Sequence, residues 1–329
     1  MNTSLPLPLR ILGARLIARP RPFLVDYALV AQCNARCAMC DAPERRRPGM
    51  STEDHLKTLS ALADLGASRI YLTGGEPLLH PALGEVVDHI LALGMVPEIV
   101  TNGILVPRTI AVLRRCRRIF LSLDGREAVH DAGRGHGSFR AVLEALAVLR
   151  ANDVPVVLTA LLTRENLSEI DWLIALAEST GSKIDFELTL ANPHCFGDEA
   201  KRWQPDEPSL RKALEQILAA QRRGAPVLTS AASYERALAW RNFDIENVEL
   251  PGARWRCAAG RFFLRVEANG DVYPCDIHVG RLPHKNVLHD GVKAAWLQAQ
   301  EHSCVGCPSI RLNEKRAAVG ARPGALVRA

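Results

Sequence analysis

Between Phe23 and Leu190, short runs rich in β-branched residues alternate with stretches whose apolar residues recur at helical spacing. Candidate strands are Phe23–Val30, Arg69–Leu72, Glu98–Thr101, Ile119–Leu123, Val154–Leu161 and Ile184–Leu188. Candidate helices between them are Glu53–Leu65, Leu83–Leu93, Arg108–Arg115, Phe139–Asn152 and Ser168–Ser179. Strand and helix in repeated alternation predict an α/β domain, a parallel sheet with helices packed outside it. Periodicity alone leaves two forms open, a doubly wound open sheet and a partial barrel. Either form places its chemistry in the loops that follow the C-terminal ends of the strands.

After Asn192 the alternation stops. Residues 193–208 read as loop, and Leu210–Arg222 and Ser233–Trp240 as helices. Further on, Phe262–Glu267 and Asp271–Tyr273 flank Asn269-Gly270, a strong hairpin turn signal, and a helix over Val287–Gln300 follows. Arg311–Ala329 shows no apolar periodicity and reads as a loose tail.

Cysteine usage carries the chemistry. The 329 residues include nine cysteines, an odd number. Arg10, Arg15, Arg19 and Arg21 interrupt the N-terminal apolar stretch, which is wrong for an export signal. A reducing, cytoplasmic setting is therefore expected, where clustered thiols bind metal rather than pair as disulfides. No long charge-free apolar run predicts a membrane span. A net charge of +5 and 5% aromatic residues give no reason to expect a nucleic-acid partner.

Cys33, Cys37 and Cys40 form a CxxxCxxC loop directly after the first strand. Three thiolates on one loop can hold three irons of a 4Fe-4S cubane and leave the fourth iron open, or contribute to a zinc site that lacks an obvious fourth ligand. Cys257, Cys275, Cys304 and Cys307 form a second group, the last pair spaced CxxC, which suits either tetrahedral zinc or a fully ligated second cluster. Cys116, among arginines at a helix end, reads as a packing residue. Cys195 follows the sixth strand beside His194 and Asp198, at the rim where such a domain carries its chemistry.

The first loop and its companions resemble the radical S-adenosylmethionine (radical SAM) superfamily. Thr73-Gly74-Gly75-Glu76-Pro77 follows the second strand, Thr101-Asn102-Gly103 the third and Ser122-Leu123-Asp124-Gly125 the fourth, leading to His130-Asp131 and Arg134-Gly135. The stretch from Cys257 through Val266–Cys275 is similar to SPASM/twitch extensions, in the shorter twitch form because no cysteine follows Cys307. The resemblance implies a partial (β/α)6 TIM-like barrel followed by a small α+β twitch/SPASM-like iron–sulfur domain. The expected divisions are a basic helix over 1–22, the barrel over 23–200, a substrate-contacting helical region over 201–254, the auxiliary-cluster region over 255–310 and the tail over 311–329.

The same resemblance implies an open-site cluster on Cys33, Cys37 and Cys40, an auxiliary cluster on Cys257, Cys275, Cys304 and Cys307, and S-adenosylmethionine as cosubstrate. Gly74 and Gly75 would let the backbone approach the methionyl amino group, and Glu76 would receive it. Asn102 and Ser122 would meet carboxylate or ribose oxygens, and Arg134 the methionine carboxylate. The implied reaction begins with a 5′-deoxyadenosyl radical that abstracts hydrogen from an unactivated carbon. The first expectation is an oxidoreductase that dehydrogenates a sugar or aminocyclitol alcohol, the auxiliary cluster taking the electron. The alternatives are an epimerase using Cys195, a modifier of a peptide or lipid, and a non-catalytic iron–sulfur protein. A flavodoxin or ferredoxin would supply electrons, and the basic N-terminal helix covers the barrel floor more readily than it contacts a membrane.

Overall fold

The computed structural model describes residues 20–42, 48–190, 200–240, 243, 257–301, 304 and 306–319. Cys195 with its neighbours His194 and Asp198, and the basic segment over 1–19, lie outside the described residues.

Six parallel strands form the first part of one sheet: β1 Leu24–Val30, β2 Arg69–Gly74, β3 Val96–Thr101, β4 Ile119–Ser122, β5 Val156–Leu162 and β6 Lys183–Leu188. They are joined by α1 Thr52–Leu65, α2 Leu83–Ala92, α3 Val106–Leu113, α4 Glu127–Arg134, α5 Ser138–Ala151 and α6 Ile170–Ser179. Every residue of β1 is buried, as a parallel strand enclosed by crossover helices must be. Alternate residues of all six strands, among them Asp26, Tyr71, Val100, Phe120, Thr159 and Asp185, line one common cavity. The sheet therefore curls into the expected TIM-like partial barrel.

The C-terminal part extends this sheet. After α7 Glu207–Arg222 and α8 Ala231–Leu238, strand β7 Phe263–Val266 pairs in parallel with β1, Leu24 opposite Phe263 and Tyr27 opposite Val266. β8 Asp271–Tyr273 and β9 Lys285–Asn286 continue antiparallel, giving the order β6-β5-β4-β3-β2-β1-β7-β8-β9. The expected hairpin is present, with Gly270 at φ +90° in its turn. Helix α9 begins at Val292 rather than Val287.

Two elements differ from expectation. Ile310–Val319 is a helix, α10, and not the start of a loose tail. Its Arg311, Glu314 and Lys315, spaced three and four apart, share a face that lines the cavity. A helix that turns polar side chains inward shows no apolar stripe, so its sequence looks like tail. It closes the gap in the barrel: the N–H groups of Ile310 and Arg311 donate to Glu187 on β6 (3.1 and 2.6 Å), and Lys315 pairs with Asp26 on β1. The second difference is α4, absent from the candidate helices, which ends in a turn over Gly133–Gly137. Asp131 holds that turn by accepting from the Gly137 N–H (2.7 Å), the Phe139 N–H (2.8 Å) and the Ser138 hydroxyl (3.0 Å).

Candidate active site

The strand ends and the cysteine loop are stitched together. Gly75 N–H donates to Val30 O (2.8 Å) and Glu76 N–H to Gln32 O (2.9 Å), so the turn after β2 runs against the chain leading to Cys33. A Cβ on Gly75 would stand 2.0 Å from Gln32 O, and one on Gly74, which has φ +121°, would stand 2.2 Å from Val30 O. The glycines thus serve close approach to the cysteine loop, a reason the sequence did not show. From the other side Gly133 O at the end of α4 accepts from Ala38 N–H (2.8 Å).

Cys33, Cys37 and Cys40 all line the cavity. Burial raises the Cys33 thiol and pushes Cys37 up to about 11. Buried thiols of this kind stay protonated unless a cation compensates the thiolate, and a bound iron core does that. Among the described residues no group of three His, Cys, Asp or Glu side chains is arranged to hold a single metal ion. A cubane takes one thiolate per iron and needs no such convergence.

Glu76 is 1% exposed. Its Oε1 accepts from Thr101 Oγ1 (2.8 Å) and Leu78 N–H (3.1 Å), and its Oε2 from Asn102 N–H (2.8 Å). Burial outweighs these bonds and lifts its pKa to about 7. Three neutral donors orient the carboxylate while no cation neutralises it, which fits a ligand that brings an ammonium.

Asn102 lies beside the cysteine loop, its Nδ2 donating to Asn34 Oδ1 (2.8 Å) and toward Cys33 Sγ (3.8 Å). Ser122 lines the cavity. Arg134 also lines it, but its guanidinium is engaged by Asp124, Nε to Oδ2 at 2.5 Å and Nη2 to Oδ1 at 3.2 Å. Asp124 Oδ1 further accepts from Leu161 N–H (2.9 Å). Burial alone would raise Asp124, yet the guanidinium beside it holds its carboxyl below the usual range. Arg134 is thus one half of an ion pair before any carboxylate ligand arrives.

The second cysteine group also draws together. Cys257 N–H donates to Cys304 O (2.6 Å), and a hydrogen bond from the Cys304 thiol, acting against burial, brings Cys257 down to about 7. Burial raises Cys275 and Cys307, each further raised by the charge of Cys257. Four thiols drawn together in this way, Cys275 and Cys307 buried and Cys257 and Cys304 half-buried, fit a shared metal core. Cys116 is buried and donates to Val112 O, the packing role expected of it.

The cavity has a volume of about 340 Å³ and reaches from the first cysteine group to Asp276, the residue after Cys275. The sequence reading missed the acids of its far wall, Asp185 and Glu187, although their alternation in an otherwise apolar strand was a usable signal.

Comparison with known proteins settles the family. The family model "Radical SAM superfamily" matches residues 27–177. The mycofactocin maturase MftC of Mycobacterium ulcerans is 30% identical over 82% of this chain and 73% of its own. The chain belongs to the radical SAM superfamily. It carries a SPASM/twitch-type C-terminal region, and the superfamily's cofactors are a 4Fe-4S cluster and S-adenosylmethionine. This radical SAM chain is also 27% identical to the AdoMet-dependent heme synthase of Methanosarcina barkeri, over 85% of this chain and 83% of the relative. The PqqA peptide cyclase of Rhodopseudomonas palustris is 27% identical over 77% of this chain and 67% of its own. The fold matches Streptococcus suis SuiB, solved with S-adenosylmethionine, at a TM-score of 0.68 and 16% identity, covering 87% of this chain and 68% of SuiB. No helix among the described residues is long and apolar enough to cross a membrane.

Proposed function

We propose that this radical SAM enzyme modifies a peptide by abstracting hydrogen from one of its carbons. The observation that supports this reading is the match to relatives that include a peptide cyclase, across most of the described fold. It moves the substrate class away from the sugar or aminocyclitol alcohol first expected. Cys33, Cys37 and Cys40 would hold the open-site cluster, and Cys257, Cys275, Cys304 and Cys307 the auxiliary one. Glu76 would take the ammonium of S-adenosylmethionine, with Asn102 and Ser122 beside it. Bound there, cluster and cosubstrate supply a one-electron carbon–sulfur cleavage that side chains cannot perform. The protein's own part is to hold both ligands against one cavity and keep water out.

Glu76 makes the cosubstrate site pH-dependent. Only its ionised form pairs with an ammonium, so affinity rises with pH through about 7. Between pH 8 and pH 6 the Kd for S-adenosylmethionine should weaken by roughly fivefold to tenfold, following the ionised fraction. Glu76→Gln should bind weakly and lose this pH dependence. The linked stability has a definite sign. The folded ligand-free chain holds this proton more tightly than the unfolded chain, so Glu76 favours folding at low pH and that contribution is lost as pH rises through about 7.

The substrate test is anaerobic incubation of the iron-loaded chain with dithionite, S-adenosylmethionine and synthetic peptides encoded by short reading frames beside its gene. The expected result is peptide-dependent formation of 5′-deoxyadenosine with a mass change in the peptide. A mass change confined to an iron porphyrin, or to a sugar, in parallel incubations would overturn the peptide reading.

A further inference from the structure

Charges in the cavity pair off unevenly. Five basic side chains line it, and each has its own acid. Arg118 meets Glu98 (3.2 Å), Arg134 meets Asp124 (2.5 Å) and Arg265 meets Glu267 (2.6 Å). Arg311 meets Asp276 (2.7 Å), and Lys315 meets Asp26. Glu187 has no need of a cation, because its two oxygens accept from the N–H groups of Leu188, Ile310 and Arg311 and from the Ser309 hydroxyl.

Apart from Glu76, already assigned to the cosubstrate ammonium, the lining carboxylates that remain are Asp185 on β6 and Glu314 on α10. Asp185 is 6% exposed and accepts one hydrogen bond, from Thr229 Oγ1 (2.5 Å). Glu314 Oε2 accepts from Ser230 N–H, Ser230 Oγ and Ser233 Oγ (3.0, 2.5 and 2.7 Å), while its Oε1 is buried without a partner. Consecutive residues, Thr229 and Ser230, hold the two carboxylates, so they share one wall. Thr159, in register opposite Asp185, also lines the cavity and has a buried hydroxyl without a partner. Tyr234 is wholly buried behind this wall, and its hydroxyl lies close enough to feel the charges of Asp185, Glu187 and Glu314. Arg311 is near enough for its charge to act on Asp185, but its hydrogen bond goes to Asp276 (2.7 Å), and buried polar groups left unmet on this wall cost free energy.

We propose that Asp185 and Glu314 form a subsite for a cationic group of the substrate, a lysine or arginine side chain or a free amino terminus. Both carboxylates line the same cavity as the cysteine loop, so a cation held by them would fix which substrate carbon lies nearest the first cluster. An ammonium or guanidinium brings several donors, enough for the free carboxylate oxygens and the acceptor side of Thr159. Burial and the charges of Glu187 and Glu314 hold the Asp185 carboxyl up near about 7 in the ligand-free chain, which is consistent with a site awaiting positive charge.

The identity of the cation as part of a peptide rests on the reading above; the subsite itself does not. The test uses calorimetric titration of the full chain loaded with iron and S-adenosylmethionine. One pair of probes is n-hexylammonium against hexan-1-ol. A second is N-acetyl-Ala-Ala-Lys-Ala-Ala-amide against the same peptide with norleucine for lysine. Each cation is expected to bind at least about tenfold tighter than its neutral partner, the value of a charge-assisted hydrogen bond in a buried site. In Asp185→Asn and in Glu314→Gln the preference should shrink to within about twofold. Both changes are near-isosteric, and thermal melts identify any variant that has lost its fold. Equal binding of the ammonium and the alcohol to the unaltered chain overturns the subsite, as does a preference that survives in both folded variants. A preference for hexylammonium without one for the lysine peptide supports the subsite and excludes an internal lysine side chain as its occupant.

Discussion

Cys37→Ala is expected to abolish formation of 5′-deoxyadenosine, a loss of at least about a thousandfold, while leaving the C-terminal cluster in place. The Cys37 thiol is buried beside Cys33 and Cys40, and burial raises its pKa to about 11. A residue in that setting contributes as a thiolate only when metal is bound to it. With two thiolates left, the loop cannot secure three irons of a cubane, and the iron content of anaerobically loaded protein should fall by about half. A thousandfold loss corresponds to about 4 kcal/mol of barrier, far beyond any packing effect of the lost sulfur on a loop already held by Gly133 and Gln32. Cys116→Ala is the matched control: another buried cysteine, hydrogen-bonded to its own helix and remote from both groups in role. Full iron content and normal cosubstrate cleavage in Cys37→Ala would remove the basis for the open-site assignment.

The barrel strands and most of their helices were legible because each obeys its own local rule. β1 is buried along its whole length and reads as an apolar run, and α1 opens on Ser51 and closes on Gly66 at φ +101°. What escaped notice depends on distant partners. The pairing of β7 with β1 joins residues some 240 positions apart in the chain, and no period in either segment announces it. α10 hid because its inward face is polar: Lys315 meets Asp26 of the barrel, Arg311 meets Asp276, and Glu314 accepts from Ser230 just ahead of α8. The cysteines and Glu76 were legible as motif members, but the conformational reason for Gly74 and Gly75 was not, since it lies in the carbonyls of Val30 and Gln32. Arg134 was legible as a cavity residue, but its ion pair with Asp124 was not, because that pair depends on the fold.

The ionic seam of α10 has a measurable strength. Asp26 and Lys315 are each 5% exposed, and they pair across 289 positions of sequence in the centre of the barrel. The ammonium also lies 5.0 Å from the Tyr71 ring centroid. Lys315→Met keeps the aliphatic stem but strands the Asp26 carboxylate in a dry interior, a loss of about 3–5 kcal/mol. For a chain of 329 residues that lowers the melting temperature by roughly 4–7 °C. The second change, Asp26→Asn, separates the worth of the pair from the cost of breaking it. Asp26→Asn with Lys315→Met leaves no buried charge behind, so the double variant should recover most of the lost stability, and the two effects should be strongly non-additive. Because α10 carries Arg311 and Glu314 on the same face, the single variant should also loosen the cavity wall and speed hydrogen exchange over Ile310–Val319. A single variant that melts within about 2 °C of the parent would mean that water reaches Asp26, and that the helix is held by the Glu187 contacts alone.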